Sequence, residues 1–364
     1  MGAIQQIFTQ YAPEYLQRYQ QNIPKSHIKV INAIIACRTA ACGLVVYDCT
    51  ECGQVHTGFR SCGNRHCTVC QNHKTQQWLQ TQLQRQLPGH HFMVTFTVPE
   101  QLRHTIRSHQ RLSYAALFAA ASQTLKLFAA DHKYVGGDLP GFFGVLHTWG
   151  RQLHYHPHVH FVVPGGALSK ADGRWHASRL DYFAPVKAMS KIFKAKLRAQ
   201  LQQSGFFADI DPEVWEKNFN VNCQALSNSH HSIRYLAPYV FKVAISDHRI
   251  VKVENRQVFF RYRKPHSQRW RIMALDVMEF IRRFLQNVLP RGFVKIRYYG
   301  FMSPGSSVSL ERIRSLIELV FGFDLEQPTV APDPLPIPSC PDCGGRLKLR
   351  FRLWPFIAAG TRYG

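Results

Sequence analysis

Residues 154–166 read His-Tyr-His-Pro-His-Val-His-Phe-Val-Val-Pro-Gly-Gly, and no other stretch constrains the fold of this chain so tightly. In extended backbone, successive side chains point to opposite faces. His156, His158 and His160 then share one face, joined by His154 if the strand begins that early, and Val159, Phe161 and Val163 share the other. The apolar face calls for a core beneath it, and Pro164-Gly165-Gly166 ends the run with turn-forming residues. The opposite face is a platform of neighbouring imidazoles, which in their neutral form are good ligands for borderline divalent metals. A lone His-x-His is usually a pair of surface histidines. Four alternating histidines leading into a buried-type strand point to a metal site.

The surroundings of this strand predict an α+β protein. Phe142–Trp149 reads as a second strand just upstream, so the two form an antiparallel pair with the histidines at its centre. His91–Pro99 is rich in β-branched and aromatic residues and reads as a buried strand. Helical periodicity covers 1–36, 74–88, 100–133, 183–203 and 275–289, and strand-like pieces lie at Ile250–Tyr262 and Phe293–Tyr299. No internal repeat is visible.

Ten cysteines mark a different chemistry. Cys49-Thr-Glu-Cys52 and Cys67-Thr-Val-Cys70 are two Cys-x-x-Cys knuckles, and the spacing predicts that they meet around one structural, tetrahedral Zn²⁺. Cys37 and Cys62, with His66 or His56, are candidates for a second site. Residues 328–338 hold five prolines and read as a linker. Beyond it, Cys340-Pro-Asp-Cys343-Gly-Gly is a single knuckle, and two ligands cannot fill a tetrahedral zinc. It must borrow partners, with Cys37 or Cys42 as candidates, or stay a reduced dithiol.

The charge speaks to partners. Lys and Arg number 45 against 22 acidic residues, a formal net charge of +23. Such an excess favours polyanions, DNA before an anionic membrane surface. The most apolar stretch, Leu112–Ala130, carries Gln123 and Lys126 and reads as a buried helix, so no membrane segment is expected. The N-terminus shows no signal-peptide pattern, so the chain is expected in the cytoplasm, where thiols serve metals before disulfides. The expected DNA-facing residues are Arg60, Arg65 and Lys74 beside the knuckles, Lys191, Lys194 and Arg198 on the basic helix 183–203, and Lys242.

Tyr235-Leu-Ala-Pro-Tyr239 completes the picture. Tyrosines four apart are ordinarily packing residues. In a strongly basic chain with a metal-ready histidine strand, their hydroxyls become candidates to attack a DNA phosphodiester, with the metal polarising the phosphate. Pro238 lies between them and removes a helical hydrogen bond, so the shared face of the two tyrosines depends on where the helix starts.

At these residues the chain resembles the IS91 family of transposases. The resemblance runs through Cys37-Arg-Thr-Ala, Ser61-Cys-Gly-Asn-Arg-His-Cys67, Leu146-His-Thr-Trp-Gly150, His156-Pro-His-Val-His160 with Pro164-Gly-Gly166, Tyr235-Leu-Ala-Pro-Tyr239 and Val243-Ala-Ile-Ser246, in that order and over nearly the whole length. It implies an HUH nuclease core with a central antiparallel sheet flanked by helices, preceded by a helical zinc-binding module. It also implies His158 and His160 as the HUH pair binding Mg²⁺ or Mn²⁺, and Tyr235 and Tyr239 as nucleophiles. The activity implied is cleavage and rejoining of single-stranded DNA at mobile-element ends, in rolling-circle transposition that also engages double-stranded DNA. His156 is the candidate third metal ligand, with His231 the other. The expected domains are 1–85 (zinc and DNA binding), 86–327 (catalytic) and 328–364 (linker and tail). A replication initiator or relaxase would share the chemistry. A non-catalytic zinc-dependent DNA-binding regulator would need neither the tyrosine pair nor the histidine strand.

Overall fold

In the computed structural model the histidine stretch forms the middle strand of a five-stranded antiparallel sheet. The structure describes residues 1–226, 244–264, 267, 269–322 and 338–355, with side chains for all of these except 71–74. The chain divides into two compact units. One comprises Met1–Lys74, Phe241–Val288 and Ala331–Gly364, and the other Thr75–Val240 and Leu289–Val330.

The second unit holds the large sheet. Its strands are β3 (His91–Thr97), β4 (Phe142–Trp149), β5 (Tyr155–Pro164), β8 (Asn220–Leu226) and β12 (Ile296–Tyr299), in the order β12-β4-β5-β3-β8. A small β6–β7 ribbon (Gly166–Leu168 with Trp175–Ala177) follows the Pro-Gly-Gly turn. The alternation read from the sequence sets the two faces. Val94, Phe96, Val159, Phe161, Val163, Leu146 and Phe142 form one buried face. It packs beneath α5 (Gln110–Ala130) and α6 (Val186–Gln202). Phe96 touches Phe193 of α6 with ring centroids 5.0 Å apart, and Phe118 of α5 meets Phe161 edge-on. Burying each such ring contributes about 2 kcal/mol. Gly144 sits opposite Phe161, and a Cβ there would lie 2.5 Å from that ring, so the close packing needs glycine. On the other face Trp78, from α3 (Gln71–Gln84), packs on Phe143 and donates its indole N–H to Tyr298 Oη at 3.2 Å.

The first unit carries two small sheets. β1 (Leu44–Cys49) pairs antiparallel with β2 (Val55–Phe59) on one side and β13 (Leu347–Leu353) on the other. The C-terminal stretch, which in sequence reads as a separate tail, thus supplies a strand to the N-terminal sheet. β9 (Ile250–Glu254), β10 (Gln257–Arg263) and β11 (Trp270–Asp276) form an antiparallel meander. The helix Val277–Leu285 follows at once, capped by Asp276, whose carboxylate accepts from the Met278 N–H at 2.8 Å. Its Phe284 packs edge-on against Phe8 of α1 (Ala3–Tyr19), which lies beside α2 (Lys25–Ala36). Among the described residues, no helix is long and apolar enough to cross a membrane.

Candidate functional site

Eight of the ten cysteines fall into two groups of four. In each group the sulfurs all lie within 4.8 Å of one another. A Zn–S bond of about 2.3 Å sets sulfur–sulfur edges of about 3.8 Å in a tetrahedron. The first group is Cys37, Cys62, Cys67 and Cys70, with Cys37 and Cys62 each 3.5 Å from Cys70. Hydrogen bonds from Cys62 and Cys67 hold the Cys70 thiol well below its ordinary value, while the contacts of Cys62 with Cys67 and Cys70 push the Cys62 thiol up. His66 is buried but is not one of the four, and Cys42 donates its thiol to the Ala36 carbonyl at 3.1 Å.

The expected meeting of the two knuckles around one metal is therefore corrected. Cys67 and Cys70 join Cys37 and Cys62, whereas Cys49 and Cys52 lie beside Cys340 and Cys343. The reason is the length of β1. Cys37 and Cys62 flank the end of the β1–β2 hairpin where Arg60 N–H bonds the Gly43 carbonyl. Cys49 and Cys52 sit in the turn at the other end. Six extended residues span about 20 Å, too far for one ion.

The histidine site is built by β4 and β5. His147 pairs directly with His158 across the two strands, and Val145 pairs with His160. His147, His158 and His160 present ring nitrogens all within 4.8 Å of one another. The ring centroids are 5.3 Å apart for His147–His158, 4.5 Å for His147–His160 and 4.8 Å for His158–His160. His158 Nδ1 lies 2.6 Å from the His156 carbonyl. A carbonyl only accepts, so that nitrogen carries the proton and Nε2 keeps its lone pair. His160 Nδ1 lies 2.8 Å from Thr95 Oγ1 on β3. Burial, reinforced by the neighbouring imidazoles, holds His147 and His158 well below the ordinary histidine value and lowers His160 to about 4. All three are therefore neutral near pH 7, the state that binds metal.

Sequence reasoning missed His147. Its signal was present, since counting back around the short Gly150–His154 connection of a β-hairpin lands on it. His156 is half-buried, its ring centroid 5.0 Å from that of His158, and it is not part of the trio. What it contributes there is its backbone carbonyl.

Tyr235, Tyr239, His231, Pro238 and Lys242 lie outside the described residues, as does the Lys74 side chain. Of the other basic residues, Lys191 and Arg198 are exposed on α6. Lys194 instead donates to the Trp215 carbonyl at 2.6 Å. The Arg60 guanidinium stacks on Trp354, 3.2 Å from the ring centroid, and burial lowers the Arg65 pKa.

Comparisons with known proteins place this geometry in context. Residues 141–309 match a family model described as "Putative transposase", and residues 7–98 match one described as "Transposase zinc-binding domain". The putative transposase y4qJ of Sinorhizobium fredii is 35% identical over 329 residues, covering 81% of this chain and 79% of the relative. The transposase for insertion sequence element IS801 of Pseudomonas savastanoi pv. phaseolicola is 27% identical over 298 residues, covering 76% of this chain and 70% of the relative. No solved structure matches. With a zinc-binding domain over its N-terminal cysteines, a transposase domain over its histidine strand and this likeness along most of its length, the chain belongs to the IS91 family of transposases.

Proposed function

We propose that this transposase cleaves and rejoins single-stranded DNA at the ends of its mobile element through 5′-phosphotyrosine intermediates, in rolling-circle transposition. The observation that carries the reading is the trio His147, His158 and His160, three neutral imidazoles clustered at the centre of the sheet, two buried and His158 half-buried. A packed core has no use for three clustered polar rings, so a bound cation is the economical account of them. The donor set fits a divalent ion, with a carbonyl and a hydroxyl behind two of the rings to orient them. Mg²⁺ or Mn²⁺ held there would supply positive charge to the scissile phosphate. An all-imidazole set favours a first-row ion such as Mn²⁺ over the oxygen-seeking Mg²⁺.

Tyr235 and Tyr239 supply the nucleophiles in this proposal. A tyrosine oxygen bonds to phosphorus, the P–O3′ bond breaks, and the 3′ oxygen takes up a proton in place of the one the tyrosine loses. One phosphoester replaces another, so the reverse attack by a 3′-hydroxyl joins strands without a nucleotide cofactor. The excess of basic residues supports binding of both single- and double-stranded DNA. Residues 86–327 carry the chemistry and 1–85 the zinc-dependent DNA binding in this reading.

The test is incubation of the full-length protein with labelled single-stranded element ends and Mn²⁺. The expected product is a protein–DNA adduct that survives denaturation and maps to Tyr235 or Tyr239. Cleavage without any adduct, or an adduct on another residue, would overturn the proposal.

A further inference from the structure

We infer that Cys49, Cys52, Cys340 and Cys343 form a second tetrathiolate zinc site, which staples the C-terminal strand β13 into the N-terminal zinc module. The matched zinc-binding domain ends at residue 98 and holds only half of these ligands. The site exists because β1 pairs with β13, with Cys49 opposite Leu347.

The geometry is that of a metal site and not of disulfides. Cys49 Sγ lies 3.5 Å from Cys343 Sγ, and Cys52 Sγ 3.7 Å from Cys340 Sγ. A disulfide needs about 2.05 Å, whereas a zinc tetrahedron has edges of about 3.8 Å.

The two knuckles are also copies of each other, from sequences almost three hundred residues apart. In the first, Cys49 N–H bonds the Gln54 carbonyl at 2.9 Å, and Gly53 N–H bonds the Cys49 carbonyl at 3.2 Å. In the second, Cys340 N–H bonds the Gly345 carbonyl at 2.7 Å, and Gly344 N–H bonds the Cys340 carbonyl at 2.9 Å. Gly53 and Gly344 occupy the same place after the second cysteine, with φ of 72° and 77°. That left-handed conformation favours glycine and turns the chain so that backbone N–H groups face sulfur. Cys52 N–H approaches Cys49 Sγ at 3.5 Å, and Gly345 N–H approaches Cys343 Sγ at 3.4 Å. Such donors stabilise thiolate, the form that binds zinc. Thr50 ties the knuckles together, its N–H and hydroxyl both bonding the Arg346 carbonyl at 3.0 Å.

His56 and Asp342 also approach Cys340, with His56 Nε2 3.1 Å from its sulfur. Cys340 cannot complete two sites at once. Four thiolates already satisfy a tetrahedral ion, which leaves His56 as a hydrogen-bond donor to the Cys340 sulfur.

The metal has work to do here. Every residue of β13 after Leu347 is exposed, so apolar burial alone gives this edge strand little hold on β1. Zinc joining the two knuckles supplies that hold, because metal binding is then linked to closure of a very long loop.

The zinc content of the full-length wild-type protein is to be counted by native mass spectrometry, where any ion on the histidine trio adds equally to every variant. Cys340→Ser/Cys343→Ser should carry one zinc fewer than the wild type, and Cys42→Ser, outside both groups, the same number as the wild type. Hydrogen exchange should show loss of protection at 347–353 in the double variant, with 155–164 unchanged. Equal zinc counts in the wild type and the double variant would overturn the inference. A second measurement needs no variant. In the native wild type, Cys340 and Cys343 should resist alkylation until a chelator is added, and prompt alkylation of both without chelator would equally overturn it.

Discussion

His158 donates its Nδ1 proton to the backbone carbonyl of His156, 2.6 Å away, and so offers Nε2 towards His147 and His160. The relationship assigns different work to three histidines on one strand. His158 and His160 act through their rings, His156 through its main chain, and the remaining ring comes from β4.

His147→Ala is therefore expected to lower affinity for Mn²⁺ by about 100-fold or more, given that even outer partners of metal ligands cost 10–100-fold. His156→Ala keeps its carbonyl and should change affinity by less than about 10-fold on the same scale. Mn²⁺ titrations of single-strand cleavage, with circular dichroism to check the fold, would reverse the ligand assignment if His156→Ala were the more damaging.

Thr95 sits behind His160 on the neighbouring strand, its hydroxyl 2.8 Å from Nδ1. Thr95→Val keeps the shape and removes the partner, so metal affinity should fall by about 10–100-fold. Thr95→Ser should restore most of it. Equal activity in Val and Ser variants at limiting Mn²⁺ would show that the hydroxyl does not orient the ring.

The first cysteine group makes a stability prediction. Cys67→Ser removes one of four ligands from a group that includes the C-cap of α2 and the loop before α3. Zinc content should fall and thermal stability with it, since structural zinc contributes folding free energy directly. Unchanged zinc occupancy and melting temperature would sink the assignment.

One residue away from the metal sites is expected to contribute to acid sensitivity. His91 is completely buried, and burial lowers its pKa to about 4. The unfolded chain takes up this proton near the ordinary value of about 6.5, the folded protein only near 4. The contribution to stability is thus complete above about 6.5 and is lost as pH falls towards 4, reaching about 3 kcal/mol there. His91→Gln should flatten the decline of the urea midpoint over that range. Parallel curves for wild type and variant would refute this.

The tyrosines are expected to divide the labour. Tyr235→Phe should abolish the adduct on a single-stranded end, and Tyr239→Phe should form it but fail to complete joining. Phenylalanine keeps the ring and removes only the nucleophile. Peptide mapping of the trapped adduct checks the order, and an adduct confined to Tyr239 would invert it.

What the sequence determined by itself is local. Alternation over 155–164 specifies a strand with a histidine face and an apolar face, and Phe142–Trp149 is the same strand in sequence and structure. The apolar stripe Met189, Phe193, Leu197 and Leu201 specifies α6, and the Cys-x-x-Cys spacings specify knuckles. These patterns were legible because periods of two or 3.6 residues are set by neighbouring backbone. Only the tertiary structure decided which groups meet. Along one strand, alternate residues stand about 7 Å apart, so His156 is remote from His160. Directly opposed residues on paired strands bring their Cβ atoms to about 5 Å, and it is this register that sets His147 between His158 and His160. The cysteines obey the same rule. Spacing identifies Cys49-x-x-Cys52 and Cys340-x-x-Cys343 as half-sites, but their union depends on β13 pairing with β1 across almost the whole chain, a long-range choice that no local period encodes.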